Sequence, residues 1–267
     1  MKQIFALFFA LSMFLLLSGC EALLSFNLFS TLDTPKTPSA KSFNDMKDDE
    51  LLSTVAVLVE TDTFFEEIAA DEEVRTSVVE GLSAIYDDGS EADIAEKQKA
   101  SLLVAEIELN TTGAGEVVDD FVNVLTEYIE QPPESNGAEE TVEAIVTKVF
   151  ADVTEENFDE TLNALLAAAE AYTYYGESLD DAGDVTAPEG TNSGAVAQNA
   201  VVAILVSEMI DTDGDDPGLL SPEEFKAVVV DDEPFPEDFV LENNPIEENE
   251  ALVNILSASG MEDLFTA

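Results

Sequence analysis

Val74, Val78, Leu82 and Ile85 are spaced four, four and three residues apart. The same rhythm returns in Val117, Phe121, Val124, Leu125 and Tyr128, in Phe158, Leu162, Leu165, Ala169 and Tyr172, and in Val201, Leu205 and Met209. Residues three or four apart share one face of an α-helix. No long alternation of apolar and polar residues competes for a strand. The pattern predicts an all-α body of eight to ten short helices from Asp48 onward. Its apolar stripes are expected to form the core rather than a ligand box. The segment YTYYG at 172–176 is open to two readings, a helix end packed on its neighbours or an exposed aromatic patch.

Between those stripes the chain is filled with carboxylates. There are 59 acidic residues against 9 basic ones. All but three of the acidic residues (Glu21, Asp33 and Asp45 precede the rest) lie from Asp48 onward, and only five basic residues lie there. Apolar residues still make up 46% of the chain, enough for a packed core and too many for wholesale disorder. Such a surface repels nucleic-acid phosphates, so no nucleic acid is expected as a partner. Small cations and basic proteins fit it better. The acidity is also what a salt-loving organism's protein would show, since molar salt screens the repulsion within about 3 Å.

Absent residue types narrow the chemistry. The chain has no His and one Cys. Ser-His-Asp and Cys-His catalysis are therefore excluded, as are His/Cys zinc sites and internal disulfides. Oxygen chemistry remains: calcium or magnesium binding, or hydrolysis by a carboxylate pair. With so many carboxylates no pair stands out, and the chain is expected not to be an enzyme.

The chain begins MKQIFALFFALSMFLLLSGC. Lys2 gives a positive start, and from Ile4 to Leu17 only Ser12 is polar. That run is short for a membrane span and suits the core of a signal peptide. It ends in Leu17-Ser18-Gly19-Cys20, which resembles the lipobox of bacterial lipoproteins. The resemblance implies cleavage before Cys20, a diacylglyceryl group on its sulfur and a fatty-acylated (palmitate-class) amino terminus. More than one acyl chain meets the requirement for stable anchoring. Glu21, not Asp, follows Cys20, so the resemblance points to the outer rather than the inner membrane.

The expected organisation follows. Residues 1–19 are the signal peptide and 20–47 a lipidated flexible tether rich in Thr, Ser, Pro and Lys. Residues 48–175 form the acidic helical body. The Gly- and Pro-containing segment 176–194 is read as a loop and possible hinge. Residues 195–267 form a C-terminal helical part.

That last part holds the one chemically specific motif, DTDGDDPGLLSPEEF at 211–225. An apolar helix leads into it and another helix leaves it. The segment resembles an EF-hand loop, which implies calcium. The resemblance assigns Asp211, Asp213 and Asp215 as side-chain ligands, Gly218 as the turn, the Leu219 carbonyl as a ligand and Leu220 as the aliphatic residue. Ser221 takes the water-bridged place and Glu224 the terminal bidentate place. Asp216-Pro217 are surplus, so the loop 211–224 has fourteen residues instead of twelve. The competing reading is an acidic turn before a helix capped by Ser221, Pro222 and Glu224. No second loop has the ligand spacing. DDGSEAD (87–93) and LDDAGD (179–184) lack it, and the segment 241–256 has no ligand set. A lone irregular loop predicts a weak, structural calcium site of about 0.1–1 mM.

Together these features predict an envelope lipoprotein held to the membrane by its lipid, non-enzymatic, with a structural calcium ion and an envelope protein as partner. The alternative is a purely structural helical lipoprotein without a metal site.

Overall fold

A computed structural model describes residues 36–61, 63–87, 90, 92–130, 145–181, 187, 191–212, 219–236, 239 and 249–260. Among these the chain is helical, as the apolar rhythm predicts, and its one β-type pairing is an isolated bridge. The helices are α1 (Ala40–Asn44), α2 (Asp48–Leu58), α3 (Phe64–Ala69), α4 (Glu72–Tyr86), α5 (Ile94–Thr111) and α6 (Ala114–Glu130). Then come α7 (145–149), α8 (Phe158–Asp181), α9 (Ser193–Ser207), α10 (Pro222–Val230) and α11 (Glu250–Ala258). Among the described residues ten of them start at or after Asp48, within the expected number; α1 is additional.

Side chains at the starts fix several boundaries. The Asp93 carboxylate accepts from the Glu96 amide at 2.9 Å while Glu96 accepts from the Asp93 amide at 3.0 Å, a reciprocal cap that opens α5. Asn192 caps α9 and Asn249 caps α11 through their side-chain oxygens.

Helix α8 is the spine. Helices α5, α9 and α11 all pack along it. Gln98 near the start of α5 donates to the Ser178 carbonyl near the end of α8, and Gly113 just past α5 lies against Thr161 at the start of α8. The two helices therefore run antiparallel. Phe158, Leu162, Leu165, Ala169 and Tyr172 are all buried, and so are Val74, Val78, Leu82 and Ile85 from α4. Burying a Leu, Val or Phe side chain contributes about 1.5–3 kcal/mol each, so these stripes supply the main driving force for the fold.

Two expected boundaries move. The segment up to residue 47 is not tether throughout: Ser39 caps α1, Phe43 is 2% exposed, and Asn44 donates to Ser77 on α4 at 3.3 Å. Thr37 also bonds to Glu67 on α3. A one-turn helix anchored by one phenylalanine carries no periodicity, so its Ser- and Lys-rich composition conceals it. Likewise Gly176 does not end a helix, because α8 continues to Asp181. A β-carbon on Gly176 would meet the Ala251 carbonyl oxygen at 2.2 Å. The glycine lets α11 cross in contact with the α8 backbone, and Asn254 seals the crossing by donating to the Gly176 carbonyl at 3.1 Å. One continuous core joins α1 through α11, so residues from 195 onward share the core of the preceding helices.

Tyr172 and Tyr175 are buried at 3% and 1% exposure, which places YTYYG inside the packing and not on a binding surface. Desolvation pushes the Tyr175 hydroxyl up to about 12.

Candidate functional site: the acidic loop between α9 and α10

Helix α9 is apolar on nearly every side and is buried along Ala197, Ala200 to Ile204 and Val206. Such a helix has no solvent face to spare, so it delivers its C-terminal end to a fixed point. Glu208 is its C-cap residue, and Met209 and Ile210 stay buried beyond it. On the far side of the loop Leu220 is 1% exposed and Phe225 fully buried. Phe225 stands edge-on to Phe150, with ring centres 5.1 Å apart, and lies near Phe158. Aromatic pairs in this geometry add about 0.5–1.5 kcal/mol beyond burial. Lys226 sits 3.8 Å from Glu155 and 5.9 Å above the Phe158 ring. Both flanks of the loop are thus anchored in the core.

The two flanks also bond to each other. The Leu220 amide donates to the Met209 carbonyl at 2.9 Å, and the Asp211 amide donates to the Leu220 carbonyl at 2.8 Å. This forms the isolated parallel bridge between Ile210 and Leu220. The nine residues from Asp211 to Leu219 are therefore closed off at their base. They include four aspartates. The bridge uses both backbone groups of Leu220. Sequence reasoning did not anticipate it. Its signal is the pair of apolar dipeptides, Met209-Ile210 and Leu219-Leu220, that flank the acidic stretch.

Of the expected ligands, Asp211, Leu219 and Glu224 are described. Asp213 and Asp215 lie outside the described residues, as do Asp216, Pro217 and Gly218. Glu224 turns back onto the helix start. Its carboxylate accepts from the Ser221 amide at 2.9 Å and from the Ser221 hydroxyl at 2.7 Å. The Ser221 hydroxyl in turn accepts from the Glu224 amide at 3.3 Å, completing a capping box with Pro222 as the first helical residue. The Ser221 hydroxyl first, and its amide second, hold the Glu224 carboxyl below its usual range. Among the described residues no three acidic side chains converge on a cation position.

The lipidation motif, Leu17, Ser18, Gly19 and Cys20, also lies outside the described residues. Among those that are described, no helix is long and apolar enough to cross a membrane.

No protein-family model, no curated protein and no solved structure matches this chain.

Proposed function

We propose that this chain is a non-enzymatic lipoprotein of the cell envelope, anchored through Cys20, whose acidic helical body binds or scaffolds another envelope protein. In this reading the 211–224 loop holds a structural calcium ion. The observation that carries the calcium reading is the closed base of the loop. Paired backbone bonds at Met209, Asp211 and Leu220 hold its two ends together, and four aspartates fall within the nine residues from Asp211 to Leu219. Carboxylates close together repel one another unless a cation neutralises them. The donor set suits calcium: Asp211 and Glu224 bring carboxylates and Leu219 a carbonyl, all hard oxygens. A bound dication would offset the aspartate repulsion and stiffen the link between α9 and α10. The Leu220 backbone is satisfied within its own loop, which suits a site that works without a second EF-hand.

The capping box favours a second reading, an acidic turn with no metal. In it Glu224 serves only to close the start of α10.

Calorimetry decides between the two. The soluble body and the double variant Asp211→Ala/Glu224→Gln are titrated with calcium at low and high sodium chloride. The calcium reading expects one site in the natural body, retained at high salt and lost in the variant. Equal uptake by both proteins, suppressed by salt, contradicts it.

A further inference from the structure

From Cys20 onward the chain has eight basic residues. Four of the five in the body are engaged with the protein itself. Arg75 pairs with Glu160 at 2.8 Å, Lys148 with Glu127 at 2.9 Å and Lys226 with Glu155, while Lys97 donates to the Asp87 carbonyl at 3.2 Å. The other three basic residues, Lys36, Lys41 and Lys47, lie within twelve residues of one another. All three are exposed, and none is ion-paired among the described residues. Asp45 is the one carboxylate in the same stretch. These lysines are not on a loose linker. The segment that carries them is held to the body by buried Phe43, by the Asn44–Ser77 hydrogen bond and by the Thr37–Glu67 hydrogen bond.

We propose that the α1 edge, through Lys36, Lys41 and Lys47, is the face that the protein lays on anionic lipid headgroups. The inference rests on the lipid-anchor reading above. Fifteen residues lie between Cys20 and Lys36. Lys36 is the first described residue after Cys20, so this edge is joined to the lipid by the shortest length of chain. Exposed charges more than a Debye length from the lipid are largely screened, so the charges nearest the lipid decide the orientation. The unpaired lysines make this edge the least repelled by an anionic surface. The α2 carboxylates that follow, Asp48, Asp49 and Glu50, and the Glu67 carboxylate bonded to Thr37 mark its limit.

The test uses the full lipidated chain in vesicles of phosphatidylcholine, with and without phosphatidylglycerol. Lysines are acetylated at limiting reagent in about 0.1 M salt and the rate at each is read by mass spectrometry. Lys99, exposed on α5 and not ion-paired among the described residues, is the internal control. On anionic vesicles Lys36, Lys41 and Lys47 are expected to react about fivefold more slowly than on neutral ones, the factor that corresponds to about 1 kcal/mol for a lysine at an anionic surface. Lys99 is expected not to change. Equal rates on both vesicles, or equal slowing at Lys99, overturn the proposal while leaving the anchor reading intact. Failure of the chain to float with either vesicle overturns the anchor reading itself.

Discussion

The Arg75 guanidinium lies 2.8 Å from the Glu160 carboxylate and ties the first turn of α4 to the first turn of α8. Arg75 is the only arginine in the chain. Its charge also acts on Glu108 near the end of α5 and favours the ionised carboxylate there. Arg75→Ala is expected to destabilise the body by about 1–2 kcal/mol, through the lost pair, the lost packing of its stem and the unrelieved carboxylates. Glu160→Gln is expected to have a smaller effect, because it removes repulsion together with attraction. Urea midpoints at one fixed salt concentration measure both. A larger loss for Glu160→Gln would show that the pair is not what holds this junction.

Burial among these helices pushes the Glu108 carboxyl up; Arg75 opposes the shift and Glu160 adds to it. A raised native value means that the folded protein takes up protons at higher pH than the unfolded chain does. Stability contributed by Glu108 therefore increases as pH falls toward the ordinary carboxylate range. The melting temperature is expected to rise from pH 7 to about 5, with less slope in Glu108→Gln. A fall in melting temperature over that interval contradicts this assignment.

Among the described residues three ion pairs form, in a chain with 59 acidic residues. Most carboxylates therefore contribute repulsion, which salt screens. Raising sodium chloride from about 0.1 to 1 M shortens the Debye length from about 10 to 3 Å and is expected to raise the melting temperature by about 10 °C. Thermal scans across that range check it. A flat response would mean that the acidity exerts little strain on the fold.

Glu224 is claimed by two roles, and one substitution separates them. Glutamine can still accept the Ser221 amide proton in a capping box, but it supplies no bidentate carboxylate. Glu224→Gln is therefore expected to change stability by less than about 0.5 kcal/mol in chelator while abolishing the stabilisation gained from calcium. Ser221→Ala is expected to cost about 1 kcal/mol with or without the ion. Melting curves of both variants in chelator and in calcium provide the comparison. If natural protein and Glu224→Gln respond alike to calcium, Glu224 serves the cap alone.

Much of the fold could be read from the chain because its cause is local. The stripes Val74 to Ile85 and Phe158 to Tyr172 announce helices by spacing alone, and every one of those side chains is buried. Features that depend on distant partners were hidden. Gly176 looks like a helix stop until Ala251 is seen against it, and Phe43 gives no hint that residues far along the chain bury it. The acidic loop falls between these cases. Its ligand types and its Ser221–Glu224 cap are written in short-range spacing, whereas the closure of its base needs Met209 and Leu220 to meet across the loop.

The state of Cys20 decides whether the chain is a lipoprotein. Chain recovered from the cell envelope is digested, and its amino-terminal peptide is weighed by mass spectrometry. The lipoprotein reading predicts a peptide that begins at Cys20 with a diacylglyceryl thioether and a fatty-acylated amine. A peptide that retains residues before Cys20, or one that carries an unmodified Cys20, contradicts it.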